Sequence, residues 1–102
     1  MPEMREKQFQ STVLQLAKLC GWEAYHTYDS RRSQPGFPDL VLAKPKVLLF
    51  AELKVDSNKL TLAQRKWATL LGDLQNEQVN PVYYRLWMPE HQEEIEKILT
   101  QW

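Results

Sequence analysis

Asp39-Leu40-Val41-Leu42-Ala43-Lys44-Pro45-Lys46-Val47-Leu48-Leu49-Phe50-Ala51-Glu52-Leu53-Lys54-Val55 decides how this chain folds. Two apolar runs, residues 39–43 and 47–55, flank the polar break Lys44-Pro45-Lys46. Their length and branched residues favour strands, and so short a connection makes them a hairpin. Strand alternation puts Glu52 and Lys54 on one face, opposite Ala51, Leu53 and Val55. Alone, that pair reads as a surface ion pair. Folding the hairpin about Pro45 brings Asp39 within about one residue of Glu52, where cross-strand Cβ atoms lie ~4.5–5.5 Å apart. Two carboxylates that close repel unless one is protonated or a cation bridges them. Oxygen ligands of this kind suit Mg²⁺ or Mn²⁺, which keep several waters and coordinate phosphate.

Upstream, Phe9, Val13, Leu16, Ala17 and Cys20 follow helical spacing, so residues 3–20 are expected to form an amphipathic helix stopped by Gly21. Glu6 falls within roughly 40° of the centre of that stripe and is expected to point at the sheet. Its other reading is a charge placed favourably near the helix N-terminus. Residues 22–28 read as an aromatic strand and residues 29–37 as a polar loop. Downstream, Thr61 opens a helix with Leu60, Ala63, Trp67, Leu70, Leu71 and Leu74 inward, and Asn76 is the candidate cap at its far end. Thr61-x-x-Gln64 fits a capping box, while Gln64 also lies on the inward stripe within reach of the carboxylates. The two roles are compatible. Residues 81–87 form a last strand, and Pro89 introduces a short acidic helix with Ile95, Ile98 and Leu99 inward. The order α-β-β-β-α-β-α predicts an α/β domain, a mixed sheet flanked by helices.

With 102 residues the chain is expected to be one domain over 1–102. Hydrophobic residues at 43% and charged residues at 25% exclude disorder as the main state. No apolar run approaches the ~20 residues of a membrane span, and no apolar stretch follows the start Met1-Pro2-Glu3-Met4-Arg5, so neither membrane nor secretion is expected. One cysteine, Cys20, rules out an internal disulfide or a cysteine-rich zinc site. Cytoplasmic placement is expected. The net charge is zero, but its distribution is uneven. Residues 31–66 carry eight cations against three anions, a net +5, whereas residues 73–102 carry two against six, a net −4. The basic middle offers a face for phosphates. His26 and His91 are too few and too far apart for a zinc signature, and His26 is read as a strand residue at the edge of the site. No glycine-rich phosphate loop is present, and no organic cofactor is expected.

Taken in order, Glu6 with Phe9, Gly21-Trp22, His26, Ser30-Arg31-Arg32, Gly36-Phe37-Pro38-Asp39-Leu40, Glu52-Leu53-Lys54 and Leu60-Thr61-x-x-Gln64-x-x-Trp67 resemble the virus-type replication-repair nuclease (VRR-NUC) family. That family belongs to the PD-(D/E)xK superfamily, so the resemblance implies a restriction-endonuclease-like core. It also implies divalent-cation-dependent hydrolysis of DNA phosphodiesters. Carried over, Glu6, Asp39, Glu52 and the backbone carbonyl of Leu53 would hold Mg²⁺ or Mn²⁺. Lys54 would orient or deprotonate the attacking water, and Gln64 would support the site. Ser30, Arg31, Arg32, Ser33 and Gly36 of the loop, with Lys59 and Arg65, would contact DNA. Branched DNA, including four-way junctions, is the implied substrate, in a phage-infected or bacterial cell, with a homodimer cutting both strands. Leu48, Phe50, Tyr83, Tyr84, Trp87 and Trp102 are the apolar residues expected to supply a dimer surface. The competing expectations are a monomeric enzyme that nicks flaps and a DNA-binding module of the same fold without turnover.

Overall fold

The hairpin forms because Leu40, Leu42, Val47, Leu49, Ala51 and Leu53 need a dry face on both strands at once. In the computed structural model, which describes residues 2–27, 34–75 and 81–102 with side chains from Arg5 on, that need fixes the register. β2 (Leu40–Lys44) and β3 (Val47–Leu53) pair antiparallel, Leu40 with Ala51 and Leu42 with Leu49. Before them, α1 (Pro2–Leu19) leads into the short edge strand β1 (Glu23–His26), which is antiparallel to β2. After them, α2 (Leu62–Gln75) crosses over to β4 (Val82–Trp87), which lies parallel to β3. A 3₁₀ turn over Pro89–His91 enters α3 (Gln92–Gln101). The result is a four-stranded mixed sheet in the order β1-β2-β3-β4, flanked by helices.

One sheet face packs on α1 and α3. Phe9, Val13, Ala17 and Trp22 meet Leu40, Leu42, Leu49, Ala51 and Leu53, and Ile95, Ile98 and Leu99 close the core from α3. The Trp22 indole donates to the carbonyl of Leu99 at 2.9 Å, so its polar end is satisfied inside. The other face carries Phe50 and Glu52 and receives α2. There Phe37 stacks edge-on against both Phe50, at 5.9 Å, and Trp67, at 5.0 Å. No helix of the described residues is long and apolar enough to cross a membrane.

Gly21 ends α1 as its position predicts. With φ +89°, it lets Trp22 N–H donate to Ala17 O at 2.9 Å while its own N–H donates to Lys18 O at 3.1 Å, the paired bonds of a Schellman motif. At the hairpin, Pro45 fixes the first turn position and Lys46 takes φ +74° at the second, where a type II turn favours glycine.

Several expectations need correction. β1 spans only Glu23–His26, and β3 stops at Leu53 rather than Val55, since the chain bends at Val55 and Asp56. The apolar stripe of α2 is narrower than expected. Leu71 is buried, but Leu70 and Leu74 are 49% and 44% exposed, because α2 lies along the β4 edge and the sheet does not reach under that flank. Trp87 offers no dimer surface: it is fully buried on the face toward α1 and α3. Phe50 is occupied by Phe37, and Tyr83 packs against the core and the ring of Trp102. Asn76 lies outside the described residues.

Candidate active site

Continuing the β2–β3 register by one pair sets Asp39 directly opposite Glu52. Neighbouring chain holds Asp39 in place. Its Oδ2 accepts the Leu53 N–H at 2.8 Å, and its carbonyl accepts the Thr27 N–H at 3.0 Å. The Thr27 hydroxyl donates to Pro38 O at 3.3 Å, so the end of β1 straps the Pro38-Asp39 turn. Thr27 carries no chemical signature, and only the fold identifies it as a support.

Glu52 is the one charged side chain among the buried residues described, 3% exposed. Burial first, then the hydrogen bond with Asp39 and the Asp39 charge, push its carboxyl from 4.5 up to about 9; Lys54 opposes this and Glu6 adds to it. Without a cation, the pair therefore holds a proton at neutral pH. A group whose pKa is raised on folding contributes stability that is complete below its unfolded pKa and lost as pH climbs through its folded one. Stability of the chelator-treated protein should thus decline from about pH 5 to about pH 9. Glu52→Gln should flatten that slope in thermal melts at several pH values, and an equal slope in both proteins would remove Glu52 as its source.

Gln64 makes both of the contacts expected of it. Its Oε1 accepts the Thr61 N–H at 2.9 Å while its own N–H donates to the Thr61 hydroxyl at 3.1 Å. Its Nε2 donates to Glu52 Oε1 at 3.5 Å. The capping geometry thus aims the amide at the carboxylate.

Gly36 makes that approach possible. Its φ is +86°, and a Cβ there would sit 2.3 Å from Ala63 C and 2.6 Å from Gln64 N. The glycine is explained by the passage of backbone against the first turn of α2, with no appeal to DNA. Gly36→Ala should destabilise by about 2–5 kcal/mol, from overpacking of ~1–3 and left-handed backbone strain of ~1–2. A denaturant midpoint within experimental scatter of the parent's would refute this contact.

Lys54 follows the end of β3, its N–H donating to Trp87 O at 3.0 Å. It lines an open depression of about 210 Å³ with Glu6, Val55, Asp56, Ser57 and Lys59. Arg5 ties α1 to the rim through Asp56 at 2.9 Å. Glu6 requires correction: it stands exposed on the rim rather than buried against the sheet. Phe9, one turn later, is the first buried residue of α1 described, so the helix overhangs the sheet at Glu6. Among the described residues no three His, Cys, Asp or Glu side chains form a group able to hold a metal ion. The three-carboxylate set is therefore a tight pair, Asp39 and Glu52, with Glu6 apart.

The Leu53 carbonyl lies at the end of β3, in the chain between Glu52 and Lys54. His26 pairs with Leu40 beside Asp39, and its Nδ1 lies 3.3 Å from Gln10 Nε2. Arg65 is exposed on α2. Ser30, Arg31, Arg32 and Ser33 lie outside the described residues.

Tyr84, expected from the sequence to be dimer surface, instead faces this site. Burial, with the charges of Glu52 and Asp39, pushes its pKa up to about 12. Strand alternation is the only signal in the sequence, since it places Tyr84 and Leu86 on one face of β4.

Comparison with known proteins found no matching family model, no matching characterised protein and no matching solved structure.

Proposed function

We propose that this chain is a divalent-cation-dependent nuclease of the VRR-NUC kind, with a restriction-endonuclease-like core, hydrolysing phosphodiesters of branched DNA. One observation carries the reading. A buried Glu52 set against the partly buried Asp39 at a hairpin end, with Lys54 two residues along the chain and the Gln64 amide aimed at Glu52, is an arrangement that packing alone does not call for. Burying one acid beside a second is costly. The element order, with β4 parallel to β3 across α2, also supports this core.

The donor set fits a hard cation. Mg²⁺ is commonly held by one or two carboxylates plus water and substrate phosphate, so Asp39 and Glu52 with the Leu53 carbonyl suffice, and Glu6 would act through water. When bound, such an ion lowers the pKa of water and polarises the phosphate. Asp39 and Glu52 supply the oxygens, Asp39 fixed by the Leu53 amide and Glu52 by Gln64. The Lys54 ammonium stabilises charge gathering on the phosphate and orients the attacking water. Lys59 and Arg65, with Arg31 and Arg32, supply phosphate contacts that set register rather than sequence. Incubation with linear, flap and four-way-junction DNA in Mg²⁺, Mn²⁺ or EDTA tests the reading. Cation-dependent cleavage of junctions is expected. Binding without cleavage under every condition would favour the module without turnover.

Paired cuts need two sites related by a two-fold axis, and the outer face of α2 suits a second copy. Leu62, 82% exposed, Leu70 and Leu74 form one i+4 ridge with Lys66. Two such helices packed antiparallel would set Arg65 and Lys66 against Asp73 of the second copy. Light scattering should give twice 12.1 kDa for the parent and 12.1 kDa for Leu70→Asp. A monomeric parent, with and without junction DNA, would transfer the case to the flap-nicking enzyme.

A further inference from the structure

The hydroxyl of Tyr84 is buried and has no hydrogen-bond partner among the described residues. An unpaired buried donor costs ~1–3 kcal/mol, and phenylalanine would fill nearly the same space without it. Tyr84 lies opposite Phe50 in the parallel ladder, one pair before Glu52 on the same sheet face, beneath α2. The charges its hydroxyl senses are those of Glu52 and Asp39. A phenol here is a donor with no present acceptor, placed behind a carboxylate pair.

Carboxylates that serve a cation are themselves hydrogen-bonded from behind. Gln64 reaches Glu52 from the α2 side, and the Leu53 amide reaches Asp39. Among the described residues, no hydrogen bond reaches the Glu52 carboxyl from the β4 side. We propose that Tyr84 is a positioning residue of this site, its hydroxyl donating to Glu52, directly or through one water, when a cation is held. The inference rests on the metal-site reading given above.

The test is Tyr84→Phe in the full chain, which removes one oxygen and leaves the ring. Mn²⁺ is titrated calorimetrically into chelator-stripped protein, and the melting temperature of the same stripped protein is recorded. The stripped variant should melt at or above the parent's temperature, since an orphan donor has gone. Its Mn²⁺ affinity should fall about tenfold, within the range for outer donors to metal ligands. Unchanged affinity overturns the proposal, whether or not the melting temperature moves. A lower melting temperature with unchanged affinity would assign the hydroxyl to packing alone. Asp39→Asn and Glu52→Gln are run alongside. If they bind Mn²⁺ like the parent, the metal-site reading fails and this inference with it. If they lose binding while Tyr84→Phe keeps it, only the role of Tyr84 falls.

Discussion

Asp39→Asn or Glu52→Gln is expected to abolish DNA cleavage while leaving DNA binding intact or tighter. Each substitution keeps the side chain's shape and, with the pair ionised around a cation, removes one negative charge close to where the phosphate must sit. Glu52→Gln also ends the burial of an acid that is 3% exposed, so the metal-free fold should not suffer. Loss of activity from unfolding is thereby separated from loss of chemistry. Calorimetry on the same proteins should show Mn²⁺ binding gone, and a gel-shift series should show DNA retained. Full cleavage by either variant, or by the parent in EDTA, would defeat the cation-dependent reading.

Lys54→Ala should cost ~10²–10⁴ in cleavage rate, the usual range for a positioned acid–base or charge-stabilising group. Mn²⁺ binding should persist, because the ammonium acts on water and phosphate rather than on the ion. Lys54 also lowers the pKa of Glu52, so its removal should strengthen the proton's hold on the pair. The cation would then compete less well at neutral pH, and raising pH should recover part of its affinity but not the rate. A loss below threefold would leave Lys54 as a strand-end ion-pair partner.

The hairpin and the meeting of its two carboxylates are legible in the sequence because both depend on local rules. Apolar runs fix the strands and a short polar break fixes their pairing to within one residue; Lys44 joins β2 and pairs with Val47, so the turn is Pro45-Lys46 and Asp39 falls opposite Glu52, one position closer than expected. The capping box at Thr61 and Gln64 is legible for the same reason. Glu6 is misplaced by such reasoning because a helical stripe gives direction around an axis, not how far the neighbouring sheet extends along it. Leu70 and Leu74 fail similarly: helical spacing cannot reveal that α2 lies over a sheet edge. Tyr84 is least legible. An aromatic in a β-rich run looks alike whether it covers solvent, core or a charged pair. Only the parallel pairing of β3 with β4, a contact between residues 34 positions apart such as Phe50 and Tyr84, decides among these.

The Pro45-Lys46 turn bears on how mis-slipped chains fare. A type II turn matches the twist of a hairpin less well than the primed turns, so it is a weak guardian of strand alignment. Side chains in a strand alternate, and a slip of one residue would send Leu49, Ala51 and Leu53 toward α2 while carrying Glu52 into the apolar layer against α1 and α3. That arrangement would bury a lone acid and expose three hydrophobic side chains together. The alignment that closes the core is also the one that sets Asp39 across from Glu52. Selection for a folded chain therefore maintains the carboxylate alignment without any separate device to check it.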